Sequence, residues 1–163
     1  MIKEKLGDIT TVRQGVIMHG VNCQGAMGAG VALAIRNKWP AVYDSYRRAV
    51  IGYRDSKYTS LRDLLGNCDI VRIEDGLFVA NLFTQLNYGR LPVRYVSYDA
   101  IDSATRSLSR QLKEINELSY RVDFTIHMPL IGAGLANGNW NIIREIVDAN
   151  LPDETYTKYL WRA

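Results

Sequence analysis

Twice in this chain an apolar, strand-like run passes straight into a glycine-rich loop and then into a helix-like run, first over residues 16–35 and again over residues 124–147. This repeated plan constrains the fold more than any other feature. In open α/β sheets such loops lie beyond the carboxyl ends of the strands, where crevices form, and two of them side by side make a cleft. Glycine lets a backbone approach an anion closely, and the N–H groups at a helix start attract phosphate. A ligand with two phosphates is the natural expectation.

The rest of the chain fits the same plan. Ile2–Leu6 reads as an edge strand, and the apolar run 16–21, ending in Asn22, suits a buried central strand. A helix from Val31 should stop near Trp39, because Pro40 disfavours helical geometry at the residue before it, and a second helix is expected over 41–50. Residues 51–68 show no clear period and read as a surface loop with one helical turn at 60–65. The runs 70–73 and 77–83, separated by Glu74, Asp75 and Gly76, predict an antiparallel hairpin. Ile101, Thr105, Leu108, Leu112, Ile115 and Leu118 recur at helical spacing over 99–118. A strand over 122–128, a helix over 140–149 and a final strand over 155–161 complete the pattern.

At 163 residues, without a linker, repeat or shift of composition, the chain reads as one domain over 1–163. The predicted fold class is a three-layer α/β/α domain with a mixed sheet of six or seven strands and three or four helices.

Several function classes fall away. No GxxxxGK[ST] element supplies the lysine and hydroxyl of a P-loop, the GxGxxG spacing is missing, and no GxSxG elbow exists. Cys23 and Cys68 are too few for a disulfide framework and lie in no zinc-type pair, so both read as reduced thiols. Charge is +3 and scattered. The basic, tyrosine-rich stretch of Arg47, Arg48, Arg54, Lys57 and Arg62 includes Asp55, with Asp63 beside it, which weakens its field. Nucleic acid is therefore not the expected partner. No apolar run is long enough for a membrane span and no signal segment is evident, so a cytoplasmic, monomeric protein is the default expectation.

Four blocks, in order, resemble the macrodomain family: Gly7-Asp8-Ile9-Thr10; residues 21–32, with Asn22, Gly28, Gly30 and Val31; Ala80-Asn81-Leu82-Phe83-Thr84-Gln85; and Pro129-Leu130-Ile131-Gly132-Ala133-Gly134-Leu135. The wording is most similar to the branch that contains ADP-ribose 1''-phosphate phosphatases. The resemblance implies an ADP-ribose or ADP-ribose 1''-phosphate ligand, with an ADP-ribosylated protein as a further partner, and no metal or redox cofactor.

By the same resemblance Asp8 would accept a hydrogen bond from the adenine amino group with Ile9 packed nearby. A turn or helix-cap acid is the alternative reading of Asp8. Asn22 would hydrogen-bond the distal ribose, and Gly28, Gly30 and Val31 would wrap that ribose and its phosphate. Thr84 belongs to the implied ligand set. Gly132, Ala133 and Gly134 would cradle the diphosphate through backbone N–H groups, with Leu135 as an apolar wall. Tyr159 would pack on the adenine side or serve as a core tyrosine.

In the phosphatase branch the resemblance implies a histidine shortly before the asparagine, a role that falls on His19, although the strand position equally suits a core histidine. The aspartate implied before the second loop's tryptophan is replaced by Asn139, whose amide can orient water but cannot accept its proton. The branch acting on carboxylate esters would need a lysine and an aspartate where this chain carries Gln85 and Ala136, so a lysine-based covalent route does not fit. The expected activity is hydrolysis of the 1'' phosphate monoester, with His19 as acid or base and Asn139 orienting water. A non-catalytic ADP-ribose reader or sequestering module, and a hydrolase removing ester-linked ADP-ribose from proteins, remain alternatives.

Overall fold

The computed structural model describes residues 1–118 and 120–163. Its sheet is built from β1 (Ile2–Leu6), β2 (Gly15–Asn22), β3 (Cys68–Glu74), β4 (Leu77–Gln85), β5 (Thr125–Met128) and β6 (Thr157–Arg162), in the order β1-β6-β5-β2-β4-β3. All neighbours pair in parallel except β3 and β4, which form the antiparallel hairpin predicted from the Glu74-Asp75-Gly76 turn. The sheet is therefore mixed and six-stranded, and β1 is the edge strand that its short, charged run suggested.

The helices are α1 (Gly30–Lys38), α2 (Pro40–Asp55), the single turn α3 (Leu61–Leu64), α4 (Tyr98–Leu118) and α5 (Trp140–Asn150). One face of the sheet meets α4 and α5 through Ile101, Leu108, Leu112, Ile143 and Val147, all fully buried. The other face meets α1 and α2 through Ile35, Val42, Tyr46 and Val50. β2 is buried along almost its whole length, as a central strand covered on both faces must be. No helix among the described residues is long and apolar enough to cross a membrane.

Three local expectations are corrected. α2 runs to Asp55, beyond the stop expected at residue 50, because Tyr53 continues the inward stripe of Val42, Tyr46 and Val50 and holds the last turn against the core. β5 starts at Thr125 and not at 122. Asp123 Oδ1 accepts from both the backbone N–H (3.0 Å) and the hydroxyl (2.7 Å) of Thr125, a local turn that competes with strand pairing. The described residues hold five helices where three or four were expected, the fifth being the single turn α3, and a 3-10 turn over Ile9–Thr11 with Asp8 as its cap follows β1.

Candidate functional site

The two glycine-rich loops leave β2 and β5, which are adjacent and parallel, so both emerge at the same carboxyl edge of the sheet and run into α1 and α5. They approach each other where a methyl group built on Gly30 would stand 3.8 Å from Leu135 Cδ1. Gly28, Gly30, Gly134 and Leu135 are exposed there, and space around Gly28 and Gly134 is open. Asp8 and Ile9 lie past the end of β1, at the same edge and three strand spacings from β2, about 14 Å.

The first loop starts at Asn22, which is 8% exposed. Its Oδ1 accepts from Gln24 N–H at 2.9 Å and, more loosely, from Ala26 N–H at 3.4 Å, while Nδ2 donates to the Ala26 carbonyl at 2.8 Å. The side chain thus folds the loop back on itself. Gly25 takes φ +85°, a backbone region that side chains oppose, and Arg47 donates to its carbonyl at 3.4 Å. The loop ends at Ala29, the N-cap of α1, which has no side chain able to bond the first-turn N–H groups. Those donors face the cleft without an internal cap.

The second loop is built differently. Gly132 has φ +69°, and a methyl group on it would lie 2.6 Å from Val96 Cγ2; one on Gly138 would lie 2.5 Å from the Gly132 carbonyl oxygen. These glycines serve close packing. Tyr95 N–H donates to the Ala136 carbonyl (2.9 Å), and Asn137, at φ 60°, donates through Nδ2 to the Val93 carbonyl (2.8 Å). The loop ends at Asn139, whose Oδ1 accepts from Asn141 N–H at 2.9 Å and caps α5. Asn139 N–H donates to the Tyr98 hydroxyl at 3.0 Å, and this bond, with the Arg94 guanidinium beside the ring, holds the Tyr98 phenol below its usual range.

His19 lies in the core, 1% exposed, between β4 and α2. Its Nε2 is 2.6 Å from Asn81 Oδ1, while Nδ1 has no partner among the described residues. Burial pushes its pKa down to about 4, so the ring is neutral. This is the geometry of a core histidine. Asn81 in turn donates to Asp69 (3.2 Å), forming a polar line across three paired strands. Thr84 is also fully buried, with its hydroxyl unpartnered among the described residues, and a methyl on Gly20 would meet that oxygen at 2.6 Å.

Asp8 is exposed and acts as the N-cap of the 3-10 turn. Its Oδ1 accepts from Thr10 N–H (2.9 Å) and the Thr10 hydroxyl (2.7 Å), which hold the carboxyl below its usual range. The cap reading therefore describes one oxygen, and Oδ2 carries no hydrogen bond from the described residues. Ile9 is buried beside it in the core shared with α1. Tyr159 sits in mid-strand, stacked on His127 (centroids 5.6 Å apart) beneath the Lys5 ammonium at 4.5 Å. Trp161, which the sequence reading passed over, is the aromatic ring next to Gly7, and it donates to His127 Nδ1 at 2.9 Å.

The structure therefore brings Asn22, Gly28, Gly30, Val31, Gly132, Ala133, Gly134, Leu135 and Asn139 to one edge. It sets His19 and Thr84 inside the core and Tyr159 below the edge. A cavity of about 570 Å³ lies at the opposite end of the sheet, where Arg72 pairs with Asp75 and Arg121 stands near Asp123. The Arg72–Asp75 pair neutralises part of its lining, whereas the first glycine loop leads into a helix start without a side-chain cap.

No family model matches the chain. It is 29% identical over 140 residues to the ADP-ribose 1''-phosphate phosphatase of Scheffersomyces stipitis, with 77% of each chain covered. It is 30% identical over 139 residues to an uncharacterized 17.5 kDa protein from the tk-vs intergenic region of enterobacteria phage T4, covering 81% of this chain and 77% of the phage protein. Among solved structures, a macrodomain protein from Streptomyces coelicolor superposes with a TM-score of 0.74 at 24% identity, covering 100% of this chain and 99% of that one. Strand order, paired glycine loops and these likenesses agree: the chain belongs to the macrodomain family, in the branch that holds proteins named ADP-ribose 1''-phosphate phosphatase.

Proposed function

We propose that this chain binds ADP-ribose or ADP-ribose 1''-phosphate across the two glycine loops. The observation that carries the reading is the uncapped start of α1, where Ala29 leaves the first-turn N–H groups free beside exposed Gly28 and Gly30. Unsatisfied N–H groups and the positive end of the helix dipole together favour a phosphate. The span of about 14 Å from the strand that ends in Asn22 to the strand that leads to Asp8 suits an extended nucleotide rather than a single phosphate ion. In this pose Asp8 Oδ2 takes the adenine amino group and Leu135 walls the diphosphate.

The relative named as a phosphatase supports a second, finer reading, hydrolysis of the 1'' phosphate monoester. That reaction would rest on Asn139 and His19. Asn139 Oδ1 is already turned toward Asn141 N–H, and the His19 ring is enclosed beneath α2. Both placements favour a module that holds ADP-ribose derivatives over one that turns them over rapidly. The relevant experiment is calorimetric titration with ADP-ribose, followed on the same preparation by phosphate release from ADP-ribose 1''-phosphate under multiple turnover. Binding without release supports the module. Release that His19→Ala abolishes replaces it with the phosphatase, and loss of both overturns the ligand itself.

A further inference from the structure

Tyr46 belongs to none of the four sequence blocks, yet it is the side chain on which the first loop rests. It is fully buried on α2, with its ring stacked on Phe83 (centroids 5.6 Å apart, planes 25° apart). Its hydroxyl stands 2.7 Å from the Asn22 carbonyl oxygen and 2.8 Å from Asn22 Oδ1, and accepts from Gly25 N–H at 3.0 Å. One phenol thereby ties together the end of β2, the side chain of Asn22 and the turn of the loop.

We propose that Tyr46 is a positioning residue that fixes the amide of Asn22 so that only a donor is left for the ligand, an inference that rests on the ADP-ribose reading above. The argument is a count of hydrogen-bonding capacity. Oδ1 accepts from Gln24 N–H and, more loosely, from Ala26 N–H, and it shares the single Tyr46 hydroxyl proton with the Asn22 backbone carbonyl. Nδ2 carries two protons, of which one goes to the Ala26 carbonyl. The side chain's remaining capacity is one N–H. Turning the amide over would face N–H groups against the Gln24 donor in a buried setting, which costs an unsatisfied polar group. The site therefore selects a hydroxyl or anionic oxygen at this point and rejects a group that can only donate. Burial pushes the Tyr46 phenol well above its usual range, so its proton is retained at any working pH.

The test uses Tyr46→Phe, which keeps the ring and its stacking and removes only the hydroxyl. Calorimetry should show about tenfold weaker binding of ADP-ribose, in line with a lost hydrogen bond that orders a binding group. Hydrogen exchange at Gly25 and Ala26 should accelerate at least tenfold, with the interior of β4 unchanged. Phe83→Leu is the control for simple packing: it should lower the melting temperature while leaving affinity within twofold. Asn22→Asp keeps the acceptor contacts but removes both Nδ2 protons, the one given to the Ala26 carbonyl included, and should bind at least tenfold more weakly. Wild-type affinity in Tyr46→Phe overturns the proposal and leaves the ligand reading intact. Equal loss of affinity in Phe83→Leu reduces Tyr46 to packing and also overturns it. Should the wild-type protein not bind ADP-ribose, the ligand reading fails, and exchange at Gly25 and Ala26 still decides whether Tyr46 positions the loop.

Discussion

The two glycine loops look alike as text and are opposites as structures. The first ends at a helix whose N-cap, Ala29, offers no side-chain acceptor, and its Gly28 stands in open space. The second ends at a helix capped by Asn139, and its Gly132 and Gly138 are pressed against Val96 and each other. Gly28 gives access in the first loop, whereas Gly132 and Gly138 give close packing in the second. Beneath each loop the strand carries a buried histidine, His19 bonded to Asn81 and His127 bonded to Trp161. Under the proposed ADP-ribose reading, the difference makes the first loop the receiving surface for an anion and the second a packed wall of the cleft.

The sharpest way to break this comparison is to exchange the glycines' duties. Gly132→Ala adds a methyl that would meet Val96 at 2.6 Å, at a positive φ that alanine opposes. Overpacking and backbone strain together should cost about 3 kcal/mol, which urea denaturation would register. Gly28→Ala in the first loop, with nothing within 4 Å, should change stability by less than about 0.5 kcal/mol. Equal costs at the two positions would contradict the assignment of one glycine to packing and the other to access.

The two histidines give a comparison in pH. Burial holds His19 neutral in the folded state, with a pKa of about 4 against an ordinary 6.5. The unfolded chain therefore takes up its proton first as pH falls. Stability should be fully present above about 6.5, decline through the window from 6.5 to 4, and level off below it, with an order of magnitude of about 3 kcal/mol. His127 is lowered by burial and then by Lys5, so it contributes in the same direction. Replacing His19 by Gln should flatten the profile more than replacing His127 by Gln, as measured by urea midpoints at several pH values. Identical profiles in the two variants would remove the distinction.

Smaller effects are expected at the helix starts. Ala29→Asp supplies α1 with the cap it lacks and should raise stability by about 1 kcal/mol. The new carboxylate competes for the anion's N–H groups and should weaken ADP-ribose binding at least tenfold by calorimetry. Asn139→Ala removes the cap of α5 and should lower stability by about 1 kcal/mol, with affinity changed little. Affinity that follows Asn139 rather than Ala29 would reverse the roles of the two loops.

Much of this was legible before any coordinates. A continuous apolar run marked β2 as an interior strand, the Glu74-Asp75-Gly76 turn marked the β3–β4 hairpin, the stripe from Ile101 to Leu118 marked α4, and the strand-loop-helix plan placed both loops at one edge. What stayed hidden depends on which partners the topology supplies. Helical spacing buries Tyr46, but nothing in spacing shows that its hydroxyl reaches Asn22, because that contact joins α2 to the end of β2. The pairing of Trp161 with His127 needs β5 and β6 to be neighbours. Position in a strand also left His19 with two meanings, and only its register with Asn81 separates them.

The measurement that addresses the central claim most directly is a backbone amide NMR titration with ADP-ribose. The account predicts that the largest shifts fall on the N–H groups from Gly28 through the first turn of α1, with smaller shifts at Gly134 and Leu135 and none in the interior of β4. Shifts confined to the second loop, or an absence of saturable change at the first, would contradict the uncapped start of α1 as the anion's receiving surface.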